Sequence, residues 1–319
     1  MLIHSVMQSY TLIAPAKINL YLEIIHDRPD GYHELVMILQ SIDLADRLEI
    51  RSHGTQDFRL TCSHPQVPTN ETNLAYRAAQ LMKLEFSEAF ANYGGVDITI
   101  NKRIPVAAGL AGGSTNAAAV LVGLNLIWEL GLTIPQLQRL GEKLGSDVPF
   151  CIAGGTVVAT GRGEKLVPIG DLDSLWVVLG KYQSLAVSTS RAYQTYWQQF
   201  SHEYVSDRAV VNSRIFRVYS GPLVQAISQK NSQKIGQLLH NDLEKVVLPE
   251  YSQVMKLKKI LQQTGGLGTM MSGSGPTIFT LCQSQQEAEN IKYQARQAIC
   301  DPNLELLITK LSSRGIQII

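Results

Sequence analysis

Between Pro105 and Asn116 the chain reads Pro-Val-Ala-Ala-Gly-Leu-Ala-Gly-Gly-Ser-Thr-Asn, a spacing suited to holding an anion. Gly109, Gly112 and Gly113 let backbone approach a ligand closely and turn sharply. Ser114, Thr115 and Asn116 then open a helix, whose free N–H groups and dipole attract negative charge, with two hydroxyls as added donors. A tight strand-to-helix turn with a serine cap would use the same residue types. No Gly-Lys-Ser/Thr follows the glycines, so the loop is not of the Walker type. Its glycine spacing does not match the dinucleotide fingerprint either.

Such a loop needs a strand before it and a helix behind it, and the flanks supply both. Val96, Ile98 and Ile100 alternate on one face of a strand over Val96–Asn101. Ala117, Ala118, Ala119, Val120, Leu121, Leu124, Leu126, Ile127 and Leu130 predict a helix apolar nearly all round, hence buried, with Gly131 as its stop. Thr133 and Gln136 form a capping box for a second helix, with Pro135 in its first turn and its end near Gly145. Upstream, Thr11–Ile25 reads as extended but interrupted by Pro15. Pro29 and Asp30-Gly31 mark a turn, and a further strand begins at Asp46–Ile50. Beyond about residue 167 the pattern changes. Trp176–Leu179 is a strand, Asn231–Val247 and Glu250–Gln263 are helices, and Thr277–Cys282 is a strand. Ser284 with Glu287 caps another helix, and Glu305–Lys310 closes as a strand. This is an α+β pattern, and 319 residues fit two domains, expected over 1–167 and 168–319.

Composition narrows the function classes. Apolar residues make up 45% and charged residues 17%, enough to build a core. The formal net charge is +1, without a basic stripe, which argues against nucleic acid as a partner. No apolar run is long enough for a membrane span, and no Lys or Arg precedes Lys17, so a secretory or transit signal is not expected. The four cysteines show no C-x-x-C pair, which favours a reducing compartment and a cytoplasmic location. Cys62, His64 and His53 do not have the spacing of a zinc site, and no metal held by protein ligands is expected.

Three stretches together resemble the GHMP small-molecule kinases: Ala14-Pro-Ala-Lys-Ile-Asn-Leu20, Pro105–Ala118 and Met271-Ser-Gly-Ser-Gly-Pro-Thr277. They stand in the family's order and spacing over nearly the whole chain. Asp30-Gly-Tyr-His33 and Gly145-Ser-Asp-Val-Pro149 resemble the branch of that family that acts on a cytidine-diphosphate-linked sugar alcohol in the non-mevalonate isoprenoid route. Asp30-Gly-Tyr-His33 argues against the mevalonate, homoserine and galactose branches. The central loop departs slightly, with Ala111 where the family often has glycine and Thr115 where it often has serine.

The resemblance implies a two-domain GHMP kinase fold, with an N-terminal part like ribosomal protein S5 domain 2 and a ferredoxin-like C-terminal part. It implies ATP as phosphate donor, with Mg²⁺ carried on the nucleotide, and a small-molecule acceptor. ATP would lie along Pro105, Val106, Ala107, Ala108, Gly109, Leu110, Ala111, Gly112, Gly113, Ser114 and Thr115, with Asn73 and Lys102 near the adenine. Lys17 and Asp147 would be catalytic. In that role Asp147 accepts the hydroxyl proton and Lys17 orients the carboxylate and favours a developing alkoxide. Asn19 would share the face of Lys17. Tyr32 and His33 would read the cytosine, and Ser272, Gly273 and Gly275 would press a second glycine turn near the substrate phosphates.

Overall fold

The computed structural model describes residues 8–319. The first seven residues, part of the stretch read above as free of a targeting signal, lie outside it. The chain opens with β1 (Ser9–Asp27), β2 (His33–Ser52) and β3 (Arg59–Cys62), then α1 (Leu74–Glu85), α2 (Ser87–Tyr93) and β4 (Val96–Asn101). The next group is α3 (Gly112–Ile127), α4 (Ile134–Glu142), α5 (Val148–Ala153), β5 (Thr156–Gly161), β6 (Lys165–Gly170) and β7 (Trp176–Tyr182). Helices α6 (Thr189–Phe200), α7 (Arg208–Tyr219), α8 (Pro222–Ser228) and α9 (Ser232–Gln237) follow, then β8 (His240–Asn241), α10 (Glu244–Glu250) and α11 (Ser252–Gln263). The last are β9 (Gly268–Met271), β10 (Ile278–Cys282), α12 (Gln285–Ala298), β11 (Leu304–Ser312) and β12 (Gln317–Ile318). Mixed helix and largely antiparallel sheet bear out the α+β reading.

β1 and β2 form a long antiparallel hairpin closing at Asp27↔His33. β2 is shared: its start pairs with β5 and its end with β4. β11 pairs with β7 along most of its length, then reaches β2 at Leu311↔Ile42, so one strand ties the late sheet β7-β10-β9 to the early one. Pro15 does not break β1. The strand runs through it with a register shift between Pro15 and Ala16, because proline lacks the N–H a regular ladder needs. Asp46–Ile50 is the far end of β2 rather than a strand of its own.

Most of helix α3 is buried, as its composition predicts: Ala117 to Leu121 have no exposed surface, and beyond the first turn only the face carrying Val122, Asn125 and Leu126 is partly open. It packs on β1 and β2 and against α1, α4 and α5. Leu12, Leu48, Ile50, Ile98 and Ile100 form the sheet side of this core. Each such side chain stabilises by about 1.5–3 kcal/mol on leaving water. At α4 the Thr133 amide donates to Gln136 Oε1 at 2.9 Å, one arm of the expected capping box. Ser284 Oγ accepts from the Glu287 amide at 3.1 Å, as read.

The single helix expected over Asn231–Val247 is instead α9, β8 and α10. Two contacts enforce the break. At Gly236 the helix meets the backbone of Leu267 and Gly268 so closely that a Cβ would not fit. Beyond it, His240 and Asn241 pair in parallel with Tyr21 and Leu22 of β1. Helical periodicity cannot register either constraint.

Candidate active site

A cavity of about 1070 Å³ runs along β1 between the early and late parts of the chain. That is larger than a single small ligand needs and leaves room for two. Lys17 and Asp27 of β1, both on the cavity wall, stand ten positions apart, roughly 30 Å of extended chain.

At one end lies the glycine loop. Helix α3 begins at Gly112, two residues before the serine expected to open it, and no side chain caps it. The amides of Gly112, Gly113 and Ser114 therefore have no intrahelical acceptor, and all three residues line the cavity. Thr115 does not. Its amide donates to the Ala111 carbonyl at 2.9 Å and its side chain is fully buried, because the fourth residue of the helix already turns toward the core. Ala111 sits at φ 57° and Ala107 at φ 50°, left-handed conformations that cost an ordinary residue about 1–2 kcal/mol. Ala111 thus occupies a position where glycine is the unstrained choice.

The loop is held from two sides. Asp46 is fully buried and accepts from the amides of Arg103 (2.7 Å) and Ile104 (2.9 Å), from Asn116 Nδ2 (2.8 Å) and from the Lys102 ammonium. Lys102 was expected near a ligand. It does line the cavity, but its charge is paired with Asp46. Asn73 also lines it, with its side chain engaged: Oδ1 caps α1 by accepting from Ala75 at 2.8 Å, and Nδ2 donates to the Pro68 carbonyl. On the other side, Ser272 Oγ donates to the Gly109 carbonyl at 3.0 Å, and Asn241 Nδ2 donates to the carbonyls of Met271 and Gly273 at 2.8 Å each. Of the second glycine turn, Gly273 and Ser274 line the cavity, whereas Ser272 and Gly275 face the loop behind it.

Gly109 (φ +72°) is where the two turns touch, and a Cβ there would run into the Ser272 carbonyl oxygen. Gly109→Ala should therefore destabilise the fold by about 2–4 kcal/mol, combining backbone strain and overpacking. Chemical denaturation measures this, and a loss below about 0.5 kcal/mol would mean that the two turns are not locked together.

Along the cavity wall stands a compact charged group. The Lys17 amide donates to the Leu110 carbonyl at 3.2 Å, which ties β1 to the loop. The Lys17 side chain is 6% exposed, and Nζ donates to Asn19 Oδ1 at 2.7 Å and lies 3.8 Å from Asp147 Oδ2. Lys17 and Asn19 share a strand face as their spacing implied. Asp147 precedes α5 but makes no side-chain cap bond, so its carboxylate is free for other work. Cys151, buried beside this group, has its thiol pushed up by burial and then by the Asp147 charge, and stays unreactive.

The far end is aromatic. Tyr32 is half exposed, with the Arg162 guanidinium 4.7 Å from its ring centre. The turn that carries it is braced by Arg28, which bonds Asp30 and Glu34. His33 stacks on Tyr193 (5.1 Å, 17°), and its Nδ1 lies 3.2 Å from the Tyr204 hydroxyl. Burial lowers the His33 pKa, so the ring is neutral near pH 7. Asp46, Arg162, Tyr193 and Tyr204 were not anticipated. No sequence motif includes Tyr193 or Tyr204, and only the fold brings them to His33.

Residues 73–155 match the family described as GHMP kinases N terminal domain, and residues 223–300 match GHMP kinases C terminal. The chain is 67% identical to 4-diphosphocytidyl-2-C-methyl-D-erythritol kinase of Gloeothece citriformis, over 98% of this chain and 99% of the relative. It is 62% identical to the protein of that name from Nostoc punctiforme, with the same coverage. A crystal structure of 4-(cytidine 5'-diphospho)-2C-methyl-D-erythritol kinase superposes with a TM-score of 0.72 at 29% identity, covering 96% of this chain and 99% of the other.

Proposed function

Because the chain belongs to the GHMP kinase family, we propose that its long cavity holds ATP at the glycine loop and a cytidine-diphosphate sugar alcohol at the aromatic end. The protein is a kinase with the two-part fold of that family, S5-like then ferredoxin-like. It phosphorylates 4-diphosphocytidyl-2-C-methyl-D-erythritol with ATP, a step of the non-mevalonate isoprenoid route. One observation carries the assignment of roles: an uncapped helix N-terminus and the Lys17–Asp147 pair line the same cavity.

In this reading the amides of Gly112, Gly113 and Ser114 take the ATP phosphates, and Pro105 to Ala111 wrap the nucleotide. Asn73 and Lys102 act indirectly, by shaping the walls beside it. The acceptor hydroxyl, at position 2 of the erythritol, lies between the γ-phosphate and Asp147. Its oxygen attacks the γ-phosphorus, the bond to ADP breaks, and Asp147 takes the proton. Lys17, fixed by Asn19, orients the carboxylate and stabilises negative charge on the oxygen. Mg²⁺ would travel with ATP, and among the described residues no cluster of three His, Cys, Asp or Glu forms a dedicated cage. The ion would be held chiefly by phosphate oxygens and water, with the Ser114 hydroxyl, which lines the cavity, as the protein group that would contact it. There it would neutralise phosphate charge. Division near residue 167 gives the loop, Lys17 and Asp147 to the first domain, and Tyr193, Tyr204 and Gly273 to the second. Gly273 faces the substrate phosphates, while Ser272 and Gly275 hold that turn in place.

Tyr32, His33 and Tyr193 support the base subsite. Stacking tolerates any base, so discrimination rests on edge hydrogen bonds. The cytidine substrate should exceed its uridine analogue by at least about ten-fold in kcat/KM, about 1.4 kcal/mol. Steady-state kinetics on the two compounds checks this, and equal use would remove base recognition from the account.

A further inference from the structure

A ligand read by the neutral His33 ring meets a donor or an acceptor depending on which nitrogen carries the proton. Both ring nitrogens are open to either role in a free imidazole. Here one is committed: Nδ1 lies 3.2 Å from the Tyr204 hydroxyl. Nε2 has no hydrogen-bond partner among the described residues, and His33 lines the cavity. Tyr204 itself does not line the cavity.

The surroundings hold this pair in place. Tyr193 stacks on one face of the imidazole, and Tyr204 meets it edge-on at 6.1 Å and 78°. The segment that carries Tyr204 is fastened to β1, where the Val205 amide donates to the Ile25 carbonyl at 3.1 Å. Tyr204 stacks in turn on the buried Tyr196, at 6.3 Å. Burial keeps the phenol protonated, its pKa well above the ordinary value. The phenol is a stronger acid than a neutral imidazole N–H, so the favoured arrangement has O–H donating to Nδ1. The remaining proton then sits on Nε2.

We propose that Tyr204 is a positioning residue that locks His33 in the Nε2–H tautomer, so that His33 presents a donor to the base edge. This rests on the base-subsite reading given above. The consequence is chemical. Cytosine offers N3 as an acceptor, which an Nε2–H satisfies. Uracil carries a hydrogen on N3, and two donors would face each other, leaving both unpaired. Selection for cytosine therefore depends on a residue that never touches the substrate.

Tyr204→Phe keeps the ring and removes only the hydroxyl. The variant should narrow the cytidine-over-uridine preference in kcat/KM from at least about ten-fold to about three-fold or less, while the KM for ATP stays unchanged. Nitrogen-15 NMR of histidine-labelled protein, with the His33 signals assigned by their loss in His33→Ala, reads the tautomer directly. The wild type should show the proton on Nε2, and Tyr204→Phe a mixture. A proton on Nδ1 in the wild type overturns the proposal. So does a Tyr204→Phe enzyme that keeps its full base preference with an unchanged tautomer. A wild type indifferent to the base is a different failure, since it sinks the base-subsite reading on which the proposal stands.

Discussion

Asp147→Asn is expected to lower kcat by about a hundred-fold to ten-thousand-fold, the range for removing one general base. The substitution changes little else. Asp147 makes no cap bond to α5, so the helix start does not depend on its charge. Its side chain is 31% exposed and 3.8 Å from Lys17, so an amide fits the same space. The amides at the start of α3 are untouched, and ATP affinity should stay within a few-fold of wild type. An ADP-release assay gives the turnover, and calorimetry with a non-hydrolysable ATP analogue gives the binding. Near-normal turnover in Asp147→Asn would take the residue out of the mechanism.

The second large effect falls on stability. Asp46→Ala should cost about 3–5 kcal/mol, because it strands the buried Lys102 ammonium and orphans three further donors. Against a total stability of about 5–15 kcal/mol, that is a large share. If the single variant does not yield soluble protein, Asp46→Ala with Lys102→Met removes the uncompensated charge and should recover part of the loss. Denaturant unfolding of the pair in a double-mutant cycle measures the coupling. A single-variant loss under about 1 kcal/mol would show that Asp46 does not hold the loop.

These two residues mark where the sequence was and was not legible. The glycine loop, the buried helix behind it and the Lys17–Asn19 face are local patterns, each set by spacing within a few residues. Asp147 gained its role from a motif resemblance, and the structure sets it beside Lys17. Asp46 looks like any polar residue alternating along a strand. Its importance comes from the register that lays the end of β2 beside the Arg103–Ile104 backbone and Asn116 of α3, which no short window contains. Tyr193 and Tyr204 lie about 160 to 170 residues from His33 in sequence, and nothing local marks them as its partners. Thr115 misled for the opposite reason: its type fitted a phosphate loop, but helical rotation carries its side chain into the core.

The central claim is that this cavity joins the γ-phosphoryl group of ATP to a hydroxyl of a cytidine-diphosphate sugar alcohol. Phosphorus-31 NMR, with mass spectrometry of the product, tests it most directly. Incubation with ATP and 4-diphosphocytidyl-2-C-methyl-D-erythritol should give one new phosphomonoester signal, matched one to one by ADP, on the erythritol hydroxyl at position 2. Mevalonate, homoserine and galactose should give none. Phosphorylation of one of those three, with the cytidine compound left unchanged, would contradict the account.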